Sequence, residues 1–202
     1  MDQNSLSNRL KTLMWPAVIA VTVTVAAAIV LTIVVKSPQV ASTQANVLPI
    51  FADILVATKV GDGAFDTPFF NGKEEPLTLN GFKGQGVVLN FWATWCMPCV
   101  REMPALDSLA AKLKARGVAV VAVSEDRKAL QLVPDFYASK GIKNLDLYYD
   151  PKSSLSRKLG VEGLPTTVLI TADGRAIGSI KGALEWDADS VVEALAKALG
   201  PQ

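Results

Sequence analysis

The chain has 202 residues, 20 Lys and Arg against 19 Asp and Glu, and an apolar share of 50%. That length holds one sizeable domain plus something small, and the balanced charge supplies no field that would draw the protein onto nucleic acid. The sequence contains no histidine, which excludes His-based triads, His metal sites and His proton shuttles. Its two cysteines, Cys96 and Cys99, cannot complete a four-ligand structural zinc site by themselves.

Residues 1–14 read as a short N-terminal segment carrying Arg9 and Lys11. From Trp15 to Val35 no residue is charged, and 21 residues of helix at about 1.5 Å each would extend roughly 32 Å, enough to cross a bilayer core. The run is rich in Val, Thr and Ile, but lipid offers no partner for backbone polar groups and so imposes a helix. It exceeds the usual apolar core of a signal peptide, and Thr43-Gln44-Ala45 is a poor and distant cleavage site, which favours an uncleaved transmembrane anchor. Two basic residues before the span against Lys36 after it leave the orientation open on charge alone.

Residues 36–60 read as a linker, small and polar as far as Ala45. Within it Leu48, Phe51, Ile54 and Leu55 suit a short helix that either packs on the domain or continues the tether. A folded domain is expected over 61–202. Gly61 to Pro76 has the glycines and prolines of loops and a hairpin around Phe69 and Phe70, and Leu77 to Phe82 reads as a short turn. Val87 to Trp92 is an apolar run of buried-strand type. A helix from about Cys96 to Arg116 follows, with Met103, Leu106, Leu109, Ala110 and Leu113 at helical spacing, Gly117 as its stop and Pro104 as an expected kink. Val118 to Val123 predicts a second buried strand, Leu132 to Lys140 a helix, Leu145 to Tyr149 a third strand and Ser153 to Leu159 a short helix. Thr167 to Ile170 and Ala176 to Ile180 flank Asp173-Gly174 as an antiparallel hairpin, and Asp189 to Leu199 predicts the last helix. Strands alternating with helices and ending in a hairpin and helix imply an α/β fold, a mixed sheet flanked by helices.

Cys96-Met97-Pro98-Cys99 lies where a buried strand ends and a helix begins. A helix N-terminus offers free N–H groups and partial positive charge, which favour a thiolate. Cys96 is then the nucleophile, and Cys99, one turn further in, the resolving thiol. Pro98 loses no needed N–H in the first turn and fixes the backbone between the sulfurs. A structural staple, a metal half-site completed by another chain and a pair of inert buried thiols are the alternatives. A staple closing so short a loop would constrain the unfolded chain little.

Phe91-Trp92-Ala93-Thr94-Trp95-Cys96-Met97-Pro98-Cys99, with Glu102-Met103-Pro104 after it, resembles the active-site segment of the thioredoxin superfamily and especially its membrane-anchored TlpA-like branch. Gly163-Leu164-Pro165-Thr166-Thr167 resembles the loop that holds a cis-proline against the active site in that superfamily. The likeness spans roughly Leu77 to Leu199, and the Leu132 to Tyr149 segment resembles the branch's central insertion. It implies a thioredoxin fold with a central strand-helix insertion, preceded by one transmembrane helix, in the bacterial inner membrane with the catalytic domain in the periplasm. It also implies that Pro165 is cis and that Leu164, Trp95, Met97 and Pro98 form the substrate-binding surface. Asn90 stands where thioredoxin carries a buried aspartate, and the resemblance assigns Glu102 as its substitute in modulating thiol ionisation. Glu102 as a solvated first-turn carboxylate is the alternative.

The resemblance implies a thiol:disulfide oxidoreductase that needs no cofactor or metal. Pro98 directly before the second cysteine is the arrangement of the reducing members, and the resemblance implies as targets cysteine pairs in a copper chaperone, an oxidase copper-site subunit or apocytochrome c. Gly182-Ala183-Leu184-Glu185-Trp186 leans toward the copper branch. Electrons would come from a membrane thiol transporter. A copper(I) metallochaperone using both thiolates and a general disulfide oxidase or isomerase are the competing functions. Copper retention after desalting separates the metallochaperone from the reductase.

Overall fold

A computed structural model of the chain describes residues 50–201. The expected N-terminal segment, the transmembrane helix and the tether as far as residue 49 lie outside the described residues, among which no helix is long and apolar enough to cross a membrane.

Eight strands form one sheet: β1 (Leu55–Val56), β2 (Phe69–Asn71), β3 (Pro76–Leu77), β4 (Gly86–Trp92), β5 (Val118–Ser124), β6 (Tyr148–Tyr149), β7 (Thr166–Ile170) and β8 (Ala176–Lys181). Their order across the sheet is β1-β8-β7-β4-β5-β6-β2-β3. β5 lies parallel to β4 and to β6, whereas β7, β8 and the outer strands pair antiparallel. Among the described residues the helices α1 (Met97–Lys114), α2 (Ala129–Lys140), α3 (Ser154–Lys158) and α4 (Asp189–Leu199) pack around it, and Leu79–Phe82 forms a turn of 3-10 helix before β4. This mixed sheet with helices is what the strand and helix order predicts, and it is the thioredoxin-like architecture that the motif resemblance implies.

β4 is buried along its whole length, and the two-residue period of a strand divides it between two cores. Val88 and Trp92 point into a core with Met103, Leu106, Leu109 and Leu113 of α1 and Leu195 of α4. Val87, Leu89 and Phe91 point into the opposite core with Phe69, Leu155 and Leu159. Burial on both faces is the physical reason for the apolar run that marked this strand in the sequence.

Two elements differ from the sequence expectation, whereas α1 runs through Pro104 to Lys114 as the helical spacing predicts. The third strand shrinks from Leu145–Tyr149 to Tyr148–Tyr149 because Asp107 of α1 takes the upstream backbone for itself: its Oδ1 accepts from the N–H groups of Lys143 (3.0 Å), Asn144 (2.6 Å) and Leu145 (3.1 Å), and its Oδ2 from Asn144 Nδ2 (2.9 Å). N–H groups spent on a carboxylate cannot join a strand ladder. The inserted helix α2 starts earlier, at Ala129, and leans on the end of β4 through ring contacts of Trp92 with Phe136 (5.1 Å) and Tyr137 (6.0 Å).

The packed unit also reaches upstream of Gly61. Phe51 is fully buried in the α1/α4 core, and Leu55 and Val56 pair with Ile180 and Ser179 of β8. Leu55 lies so close over Gly178 that a Cβ there would meet its Cδ1 at 2.6 Å. Residues 51–56 therefore pack on the folded unit rather than continuing the tether. Phe51→Ala is expected to lower the unfolding free energy by about 3–5 kcal/mol, as measured by chemical denaturation. A change below about 0.5 kcal/mol, the size of a surface substitution, would show that this segment does not belong to the core.

Candidate redox-active site

Cys96 is the N-cap of α1, and its sulfur accepts from the N–H of Cys99 at 3.3 Å. The two cysteines form a disulfide with their Cα atoms 5.3 Å apart. Cys99 is wholly buried and Cys96 is 6% exposed, so an incoming sulfur can approach Cys96 and not Cys99. Trp95 and Met97, 68% and 62% exposed, flank Cys96. Trp92, by contrast, is wholly buried and serves packing alone.

The loop between β4 and α1 is held from below by Asp126, just beyond β5. This buried carboxylate accepts from Thr94 N (2.8 Å), Thr94 Oγ1 (2.8 Å) and Ser124 Oγ (2.9 Å). The backbone of Glu125 donates to Trp92 O at 2.9 Å. The parallel β4–β5 ladder is thus continued by side chains into the loop that carries Cys96. Asp126 was not singled out from the sequence, because its partner Thr94 is 32 residues away and no local spacing marks the pair.

The Leu164–Pro165 peptide is cis, with Pro165 buried and Leu164 half-exposed at the start of β7. Trp95, Cys96, Met97, Pro98, Val161 and Leu164 border one open groove of about 570 Å³. The structure therefore gathers around one groove Trp95, Met97, Pro98 and Leu164, which the resemblance named as a binding surface, and Pro165 follows Leu164 as a buried residue outside the lining.

Glu102 lies elsewhere. It is 3% exposed, which excludes a solvated first-turn carboxylate. Its Oε1 accepts from Asn90 Nδ2 (3.0 Å), and its Oε2 from Trp186 Nε1 (2.8 Å) and Leu184 N (3.2 Å). Asn90 Nδ2 also donates to Thr167 Oγ1 of β7 at 2.9 Å. Burial pushes the Glu102 carboxyl above its ordinary 4.5, and the donors from Trp186, Asn90 and Leu184 offset this only in part. Trp186 and Leu184 come from a segment more than 80 residues away in sequence, and only the chain reversal at β7–β8 brings them here.

A disulfide across two residues at the first turn of a helix, beside a cis-proline loop on a thioredoxin-like sheet, defines the thioredoxin class of redox proteins. The Redoxin family model matches residues 59–196, and the chain belongs to that family. It is 39% identical over 110 residues to the thiol-disulfide oxidoreductase ResA of Bacillus thuringiensis subsp. konkukian, covering 52% of this chain and 60% of that protein. It is 35% identical over 133 residues to ResA of Oceanobacillus iheyensis, covering 64% and 68%. The chain thus spans about three fifths of the length of the first of these relatives. Among solved structures it is similar to a candidate thiol:disulfide interchange protein DsbE from Chlorobium tepidum (30% identity, TM-score 0.59, 72% of this chain and 99% of that one). It is also similar to the exposed lipoprotein thioredoxin Etrx1 of Streptococcus pneumoniae (27%, TM-score 0.53, 65% and 98%).

Two measurements test the Glu102 cluster. Trp186→Phe removes the shortest of its three hydrogen bonds and is expected to cost about 1.5–3 kcal/mol in denaturation. The pH dependence follows from the raised carboxyl: the folded state holds this proton more tightly than the unfolded chain, so the group favours folding at low pH and that advantage is lost as pH rises through the raised pKa. Wild type should therefore lose stability relative to Glu102→Gln between about pH 4.5 and neutrality, and parallel stability curves would contradict the assignment.

Proposed function

We propose that the protein is a membrane-anchored thiol:disulfide reductase. The observation that carries this reading is the asymmetry of the pair, a reachable Cys96 at a helix N-terminus and a buried Cys99 one turn behind it. In the reduced enzyme the Cys96 thiolate attacks a substrate disulfide, forms a mixed disulfide and expels one substrate sulfur as a thiolate that takes up a proton. The Cys99 sulfur, on losing its proton, then attacks Cys96. The Cys96–Cys99 disulfide forms, the second substrate thiol leaves, and two electrons have passed from enzyme to substrate.

Glu102 is assigned as the group that tunes Cys99. A carboxylate behind a buried thiol disfavours the thiolate, and a neutral carboxylic acid does not. Trp95, Met97, Pro98 and Leu164 are assigned as the surface on which the substrate segment lies, with Pro165 holding the backbone of Leu164 in place. The names borne by the ResA and DsbE relatives support the reaction class. Residues 15–35 serve as the anchor and residues 61–202, with the upstream strand, as the domain on the periplasmic side. Its targets are cysteine pairs of copper-site assembly or of apocytochrome c, and its electrons come from a membrane thiol transporter.

Cys99→Ser is expected to accumulate mixed disulfides with its substrates and Cys96→Ser to accumulate none, read by non-reducing electrophoresis and mass spectrometry. Trapping of copper-site proteins or apocytochrome c identifies the branch, a broad mixture of secreted proteins indicates an oxidase or isomerase, and no adduct at all defeats the reductase reading. Glu102→Gln should move the pH dependence of thiol alkylation in the reduced protein to lower pH. The full chain should sediment with membranes and a fragment of residues 37–202 should not.

A further inference from the structure

The groove beside Cys96 is bordered by a carboxylate that the redox chemistry does not use. Glu125 follows β5 and borders the same groove as Trp95, Cys96 and Met97. Its backbone is fixed by the bond to Trp92 O. Its Oε2 accepts from Ser153 Oγ at 3.2 Å, and Ser153 holds a left-handed backbone, φ 51°, to sit there at the start of α3. Its Oε1 is buried and has no hydrogen-bond partner. A carboxylate oxygen removed from water without a donor is costly, and such groups are rare in folded proteins.

The other charges around the groove do not answer it. Glu162 is paired with Lys181 at 2.6 Å. Arg157 borders the groove as well, yet the four ion pairs among the described residues do not include Glu125. The neighbouring wall is apolar, formed by Trp95, Met97, Val161 and Leu164. A substrate segment with its sulfur at Cys96 therefore meets that apolar wall together with Glu125, Glu162 and Arg157, and of the two carboxylates only Glu125 has no ion-pair partner among the described residues. The donor that gains most there is a cation, because charge-assisted hydrogen bonds are roughly twice as strong as neutral ones.

Building on the reductase reading, we propose that Glu125 is a specificity-determining residue, and that the groove favours disulfides in which a Lys or Arg lies beside the attacked cysteine. The test is single-turnover reduction by the full-length, dithiol form of the protein. Its substrates are two synthetic peptide disulfides that differ only in Lys or Glu next to the cysteine, with oxidation of the enzyme followed by mass spectrometry. Wild type should react about tenfold faster with the Lys peptide, the order expected of one hydrogen bond to a charged group. The ratio should shrink in Glu125→Gln and persist in Glu125→Asp, both variants being confirmed as folded by their melting transitions. Equal rates for both peptides in wild type would overturn the assignment while leaving the reductase reading intact. A ratio that survives Glu125→Gln, or one that is abolished by Glu162→Gln instead, would also overturn it. A wild type that reduces neither peptide would defeat the reductase reading itself, and the specificity with it.

Discussion

A buried carboxylate ties the structure together. Glu102 sits on α1, accepts from Asn90 in the middle of β4, and accepts again from Leu184 and Trp186 in the segment that leads from β8 to α4. β4 and the segment from β8 to α4 converge on the two oxygen atoms of one α1 side chain, and Asn90 extends the link to Thr167 of β7. An acid of this kind is expensive to bury and more expensive to leave unpaired. Its partners must therefore be in place whenever the surrounding core is closed, and α1 is fixed over β4 in one rotational setting. The position of Cys99, three residues before Glu102 on the same helix, follows from that setting.

The site is assembled by a second carboxylate working from the other side. Asp126 receives both the backbone and the hydroxyl of Thr94, and so fixes the approach of the chain to Cys96. With one acid locating the helix and another locating the loop, the cysteine pair at their junction has little freedom. Local rigidity at a redox pair matters because the resolving attack is intramolecular, and its rate depends on how well the second sulfur is already placed.

Much of this was legible in the sequence because it is written at short range. The continuous apolar run of 87–92, the helical spacing of Met103, Leu106 and Leu109, and the Asp173-Gly174 turn each report the immediate surroundings of their own residues. The cysteine pair was equally plain, since its placement at a strand-to-helix junction needs only neighbouring residues to be recognised. What the sequence withheld depends on pairs far apart. Nothing near Glu102 says that a tryptophan more than 80 positions later donates to it, and as a result its burial and its solvation could not be told apart. Asp107 has the same character: strand propensity in 145–149 was read correctly as local preference and was then overruled by a carboxylate on α1. Phe51 was ambiguous for a third reason, because a lone aromatic in a linker-like composition has no periodicity to announce the core that receives it.

The Asp107 clamp shapes how the inserted region is attached. α2 and the segment after it are joined to the sheet by two register positions of β5–β6, by ring contacts at Trp92, by the burial of Val133, Ile142 and Leu145 in the α1 core and by the four bonds converging on one aspartate. The β4–β5 ladder beside it runs through seven register pairs. The ladder hydrogen bonds that hold the two neighbouring parts of the sheet are thus unequal in number, and the Asp107 clamp supplies in the segment after α2 what the short β5–β6 ladder does not. In such an arrangement the backbone amides of residues 143–145 exchange with solvent together, at a rate set by the lifetime of a single side chain's grip.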